Sequence, residues 1–252
     1  MDIGGKRAVV VGGASGMARA AAELLHRRGA SIAILDLPTS AGGEVAADLG
    51  GSFHPVDITD EVAVESALGE AVQELGGLHI AVNTAGGGIA ARTLGRDGPH
   101  PLAEFRMVVE LNLIATFNLN RLEALHMSRN DPEDDERGVI IDTASIAAFE
   151  GQIGQVAYSA SKAGIAGMTL TMARDLGSLG IRVVSVAPSL FSTGATKGIA
   201  DDHAEALTKD AAFPKRMGRP EEYARLAVAI VENPMLNGST IRLDGGQHFA
   251  PR

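Results

Sequence analysis

Short apolar runs alternate with longer amphipathic stretches from one end of this chain to the other. Arg7–Val11, Ser31–Asp36, Leu78–Asn83, Gly138–Thr143 and Ile181–Val186 are rich in Val, Ile and Ala, with little charge inside the runs. That is the pattern of strands buried on both faces. Gly51–Asp57 and Ser239–Leu243 read as two further short strands. Between the strands, Met17–Arg28, Ala41–Leu49, Asp60–Leu75, Glu104–Ser128, Val156–Leu179 and Pro220–Val231 carry the mixed pattern that predicts helices. Gly29 and the pair Gly76-Gly77 stop two of them.

Regular alternation of buried strands and helices predicts the α/β class, with a parallel sheet covered on both faces. Right-handed crossovers then lead to a Rossmann-type doubly wound sheet of seven strands in a three-layer sandwich. No linker, repeat or low-complexity segment divides the chain, so residues 1–252 are expected to form one domain. Ser128–Arg137 is the most polar run and reads as a solvated helix-to-strand loop.

Composition narrows the possible partners. A formal net charge of −9 argues against nucleic acid and against an anionic membrane surface. No apolar stretch is long enough to span a bilayer, and Met1–Arg7 has no signal-peptide core, so a cytoplasmic location is expected. The chain has no cysteine, which removes disulfides and thiolate chemistry. Its seven histidines show no ligand spacing, so no metal is expected. With aromatics at 4% and no tryptophan, the core must be aliphatic.

The chemistry-bearing residues sit at strand ends. After the first strand, Gly12-Gly13-Ala14-Ser15-Gly16-Met17-Ala18 opens a helix. Glycines let a pyrophosphate approach the backbone, and a helix N-terminus offers N–H donors and partial positive charge. Asp36 ends the second strand, where a carboxylate accepts hydrogen bonds from the adenosine ribose of a dinucleotide. It would also repel a 2′-phosphate, and neither Ala14 nor Leu37 is basic, so NAD is expected over NADP, although Arg19 lies nearby. Asp57-Ile58 follows the third strand and can meet the adenine. Asn83-Thr84-Ala85-Gly86-Gly87-Gly88 follows the fourth, with small residues that let a cofactor pass.

Tyr158 and Lys162 are four residues apart on an expected helix, hence on one face, one turn apart. A nearby ammonium favours the phenolate and lowers a tyrosine pKa from its reference of about 10. Such a phenol can exchange a proton in carbonyl/alcohol redox chemistry, and the Ser145 hydroxyl can bond the same substrate oxygen.

Taken in order, Gly12-x-x-x-Gly16, Asn83-Thr84-Ala85-Gly86, Asn112, Ser145 and Tyr158-x-x-x-Lys162 resemble the short-chain dehydrogenase/reductase superfamily over the whole chain. The chain departs from the family pattern at Val11, often Thr, at Ala18, usually the third glycine, and at Ser189, where Pro-Gly is usual. Arg137–Gln155, Ala187–Phe191, Glu232–Gly238 and the insertion Ile89–Pro101 look like the type 2 3-hydroxyacyl-CoA dehydrogenase branch, which also acts on hydroxysteroids.

The resemblance implies an NAD-dependent enzyme of fatty acid metabolism, assembled as a homotetramer and acting on a small acyl-CoA or steroid-like ketone. It implies catalytic Ser145, Tyr158 and Lys162, with Asn112 in a helix over Met107–Leu119 anchoring a proton-relay water. Gly12, Ser15, Gly16, Met17, Asp36, Leu37, Asp57, Ile58, Asn83, Thr84, Ala85, Gly86, Tyr158, Lys162, Pro188 and Phe191 would hold the cofactor. Ser145, Gln155 and Tyr158 would hold the substrate. Residues 191–216 are expected to form a substrate lid with a helix over Asp201–Ala211. Lys197, Lys209, Lys215, Arg216, Arg92 and Arg96 read either as contacts to CoA phosphates or as solvated charges. Two alternatives stand beside this reading: the same catalyst on another ketone, and a non-catalytic dinucleotide-binding subunit.

Overall fold

A computed structural model describes residues 1–193 and 208–249. Seven parallel strands form one sheet in the order β3-β2-β1-β4-β5-β6-β7. They are β1 (Arg7–Val11), β2 (Ser31–Asp36), β3 (Ser52–Pro55), β4 (Ile80–Asn83), β5 (Gly138–Thr143), β6 (Ile181–Pro188) and β7 (Thr240–Leu243). The α-helices among the described residues are α1 (Gly16–Arg27), α2 (Gly42–Asp48), α3 (Glu61–Leu75), α4 (Leu102–Val109), α5 (Ala115–Met127), α6 (Val156–Leu176) and α7 (Pro220–Glu232). No described helix is long and apolar enough to cross a membrane.

Successive strand residues point to opposite faces, and the core divides accordingly. Ala8 and Val10 pack with Leu25 of α1 and with Tyr223, Ala227 and Val231 of α7. Val9 and Val11 pack with Leu68 and Val72 of α3 and Leu119 of α5. Both faces are covered, which is why the strands read as apolar runs rather than as an alternation. Burying each such Val or Leu contributes about 1.5–3 kcal/mol.

The chain departs from its expected outline in two places. The helix predicted over Glu104–Ser128 is broken by a wide turn, a π-helical segment at Glu110–Ile114 between α4 and α5. The polar run Ser128–Arg137 is not simply solvated. Its Glu133 pairs with Lys6, and Glu136 pairs with Arg182 and the Met1 amine. Arg182 is 6% exposed and also donates to the carbonyls of Ile230, Val231 and Leu236, closing the C-terminal end of α7. Charge there is structural because it meets orphan helix carbonyls and a matched carboxylate.

Sheet order reverses between β1 and β4, the place where a doubly wound sheet opens a crevice beyond its strand ends. The loops at that edge line the candidate site.

Candidate active site

A cleft of about 700 Å³ runs along the carboxyl edge of the sheet. One end is built by the β1–α1 turn. Gly12 and Gly16 take positive φ, at +80° and +56°. A Cβ on Gly12 would stand 3.0 Å from Thr84 Oγ1 and 3.1 Å from the Ala85 nitrogen, so only glycine lets this turn and the β4 loop meet. Ser15 precedes α1 without capping it by its side chain, and the first turn carries no acidic residue. The first-turn amides of α1 thus have no side-chain cap from Ser15 and no acidic neighbour in that turn, which suits them to an anion.

Asp36 stands at the next strand end. Its Oδ2 accepts from the Ala14 amide (2.9 Å) and its Oδ1 from the Leu37 amide (2.7 Å). Both bonds fix the carboxylate on the cleft wall. Arg19 is turned toward Glu23 (2.8 Å), and among the described lining residues Lys162 alone is cationic. Asp57 Oδ1 accepts from the amide and hydroxyl of Thr59, bonds that hold its carboxyl below the ordinary range. The lining continues through Met17, Leu37, Ile58, Thr84–Gly86, Pro188 and Phe191.

At the other end lie Ser145, Tyr158 and Lys162. Ser145 follows β5 and accepts from the Ala147 amide (3.1 Å), which fixes its hydroxyl. Tyr158 occupies the first turn of α6 and is hydrogen-bonded to Ser145. Lys162 sits one turn on, its Nζ 5.7 Å from the Tyr158 ring centre and donating to the Thr143 carbonyl (2.8 Å). Gln155 caps the same loop, its Oε1 accepting from the Gln152 amide (3.0 Å), and it too lines the cleft.

The electrostatics differ from the simple expectation. Burial pushes the Tyr158 phenol above its ordinary value, and the bond with Ser145 pulls it back. Burial brings Lys162 down to about 8, against the attraction of Asp142. The lysine is thus held near its own titration point, and its effect on the phenol depends on what keeps it charged.

The side chains of two expected site residues, Asn83 and Asn112, are not among the cleft lining. Asn83 is 4% exposed, and its amide nitrogen lies 3.0 Å from Asn120 Oδ1, 3.0 Å from Glu123 Oε2 and 3.1 Å from Asp142 Oδ1. It points into the core behind the cleft, because its position in the strand alternation faces away from the crevice. Asn112 is fully buried in the wide turn, not in regular helix, and does not line the cleft. Its side chain donates to the carbonyls of Gly87 (2.7 Å) and Val108 (2.8 Å) and accepts from the Gly87 amide (3.1 Å). It fixes the glycine loop, and its own carbonyl accepts from the Thr116 hydroxyl (2.6 Å).

A family model described as enoyl-(acyl carrier protein) reductase matches residues 12–248. The human protein named 3-hydroxyacyl-CoA dehydrogenase type-2 is 48% identical over 255 residues, covering 99% of this chain and 98% of its own. A crystal structure of 3-hydroxyacyl-CoA dehydrogenase type-2 from Mycobacterium avium superposes with a TM-score of 0.94 at 40% identity, covering 98% of both chains. The chain belongs to the short-chain dehydrogenase/reductase family. It is an oxidoreductase that interconverts a secondary alcohol and a ketone. Another family member, a 7α-hydroxysteroid dehydrogenase solved with NADH and 7-oxo glycochenodeoxycholic acid, superposes with a TM-score of 0.87 at 29% identity, covering 99% of this chain and 97% of that one.

Within this family fold, several lining residues carry no motif of their own: Ile89, Ala90, Leu111, Leu190 and Thr193. Gly88 has a further role, since a Cβ there would stand 2.9 Å from Tyr158 Cδ2. Arg216 is bound to Glu222 (2.7 Å), so it serves the start of α7. The insertion 89–101 closes on itself through the bridge between Leu94 and Pro99 and docks by the Ala91 amide on the Gly154 carbonyl. Lys197 and most of the expected Asp201–Ala211 helix lie outside the described residues.

Proposed function

We propose that the chain is an NAD-dependent 3-hydroxyacyl-CoA dehydrogenase, with Tyr158 as the residue that exchanges the proton. The observation that carries this reading is the convergence of Ser145, Tyr158 and Lys162 at one end of a cleft whose other end presents Asp36 and the Gly12–Gly16 turn. The cradle fits a dinucleotide: a Cβ on Gly12 would close it, the α1 amides suit a pyrophosphate, and Asp36 suits ribose hydroxyls. A fixed Asp36 carboxylate beside Leu37, with Arg19 engaged by Glu23, favours NAD over NADP. Gly12, Ser15, Gly16, Met17, Asp36, Leu37, Asp57, Ile58, Thr84, Ala85, Gly86, Pro188 and Phe191 would hold it.

When bound, nicotinamide supplies the hydride acceptor or donor. The protein supplies the rest. Ser145 orients the substrate oxygen and donates to it as charge develops. Tyr158 gives that oxygen a proton as a ketone is reduced and takes one as an alcohol is oxidised. Lys162, when cationic, favours the phenolate of Tyr158. Asn112 keeps the Gly86–Gly88 loop in register with both side chains.

Ile89, Ala90 and Leu190 give the cleft an apolar wall, suited to a fatty acyl or steroid-like chain. Met107, Ile114, Phe117 and Leu125 are large and exposed on α4, the wide turn and α5, and support a homotetramer that covers them. The test is oxidation of NADH with acetoacetyl-CoA, a steroid ketone and a free keto ester, each repeated with NADPH. Preference for the thioester with NADH supports the reading. Preference for the steroid moves the substrate assignment, and NADH binding without turnover of any ketone overturns it.

A further inference from the structure

Behind the catalytic face lies a buried polar cluster that the reaction chemistry does not require. Asp142 on β5 and Glu123 on α5 are both fully buried. They meet through amides: Asn83 lies within 3.1 Å of both acids, and Asn120 donates to Asp142 Oδ2 at 2.7 Å. Two carboxylates cannot both be charged in so small a dry space.

Hydrogen bonding says which one holds the proton. Both Asp142 oxygens accept from amide N–H groups. Among the described residues, Glu123 Oε1 is buried with no hydrogen-bond partner, as is Asn83 Oδ1. An ionised carboxylate oxygen left bare in the interior is strongly disfavoured. The Asn83 nitrogen has three acceptors around it and only two hydrogens to give, so one of the three goes without a donor. Asp142 keeps the Asn120 amide as a second donor, whereas Asn83 is the one donor within reach of Glu123 among the described residues, so Glu123 is the acid poorer in donors and the one that keeps its proton.

Asp142 immediately precedes Thr143, whose carbonyl takes the Lys162 ammonium, and its charge acts on that lysine. The titratable groups facing Asp142 are Lys162 on α6, Glu123 on α5 and Tyr223 on α7, whose phenol bonds Thr143 Oγ1 (2.8 Å) and is kept neutral by burial. Tyr158 lies beyond Lys162. We propose that Glu123 and Asp142 form a buried pair holding a single proton, on Glu123, and that the remaining charge on Asp142 is a positioning element that keeps Lys162 cationic beside Tyr158. This rests on the reading of Tyr158 and Lys162 as the proton-exchanging pair.

The test is the pH profile of kcat for alcohol oxidation. Removing an anion makes the first proton leave the Lys162–Tyr158 pair more readily, whichever of the two releases it. Asp142→Asn should therefore move the midpoint of that limb to lower pH by about one to two units. Glu123→Gln imitates the protonated acid and should leave the midpoint in place, whatever it does to kcat. A uniform loss of kcat in Asp142→Asn with an unmoved midpoint would mean a structural role and overturn the inference. So would a Glu123→Gln shift as large as that of Asp142→Asn.

Infrared spectroscopy at neutral pH tests the proton without turnover and without Asp142→Asn folding. Wild-type protein should show the carbonyl stretch of a protonated carboxylic acid, and Glu123→Gln should lose it. Absence of that band from wild type overturns the assignment. If the proposed function fails, wild type gives no turnover; if this inference fails, turnover remains and the midpoint or the band contradicts it.

Discussion

Three consecutive glycines at the β4 edge should respond to alanine in an order that the geometry fixes. A Cβ on Gly87 would stand 3.7 Å from Leu111 Cδ2, an ordinary contact. One on Gly88 would stand 2.9 Å from Cδ2 and 3.2 Å from Cγ of Tyr158. Carbon atoms rest about 3.5–4.0 Å apart, so the ring or the loop must move by roughly 0.5–1 Å. The ring is rooted in the first turn of α6 and cannot swing aside as a flexible chain end would. Overpacking of this kind costs about 1–3 kcal/mol of stability. Displacing a reacting group by about 1 Å costs up to ~10² in rate. Gly88→Ala should therefore lower kcat by roughly 30- to 100-fold, with a smaller effect on the KM for NADH. Gly86→Ala meets Asn112 Oδ1 at 2.5 Å and Lys162 Nζ at 3.4 Å, so it should loosen the loop and raise the KM as well. Gly87→Ala should give the smallest loss of the three. The assay is steady-state NADH oxidation with acetoacetyl-CoA, with urea unfolding run in parallel. A near-normal kcat for Gly88→Ala, or a Gly87→Ala loss as large, would refute the packing argument.

Tyr158→Phe keeps the ring and removes the proton, so kcat should fall ~10²- to 10⁴-fold while NADH affinity, read by fluorescence titration, stays within a few-fold. Asp36→Ser with Leu37→Arg removes the carboxylate held by the Ala14 and Leu37 amides and supplies a cation; the ratio of kcat/KM for NADPH over NADH should rise by at least ~10²-fold, and an unchanged ratio would place the ribose elsewhere. Burial raises Glu123 from 4.5 to about 8, so between those values the folded protein keeps a proton that the unfolded chain has released. Stability from this group is therefore present at low pH and is lost as pH rises through that window, by roughly 1 kcal/mol per pH unit. Glu123→Gln should flatten that fall in urea midpoints measured from pH 5 to 8, and parallel curves for variant and wild type would contradict a buried, protonated Glu123.

Legibility followed periodicity and failed where a residue's meaning depends on which way it points. The ends of β1, β2 and β5 coincide with the apolar runs because those strands are buried on both faces. The nucleotide turn, Asp36 and the Ser145, Tyr158, Lys162 set line one cleft, as their places after strand ends and on one helix face, together with the family resemblance, led one to expect. The wide turn at Glu110–Ile114 was not, since an extra residue in a helix leaves the apolar repeat almost unchanged. Asn83 shows the limit most clearly. Its place at the end of β4 is right, yet a strand end offers two faces, and the amide turns to Glu123 and Asp142 instead of to the cleft. Glu123 and Asp142 are 19 residues apart and belong to a helix and a strand, so no local pattern joins them. Glu136 and Arg182 form a structural pair for the same reason, across 46 residues. A charge in a polar run looks solvated until the fold brings a guanidinium and a ring of helix carbonyls to meet it. The same rule bears on Lys162: the tyrosine four residues away marks it, but Asp142, the carboxylate proposed to keep it charged, stands on β5 and not on its helix, and only the packed fold brings the two together.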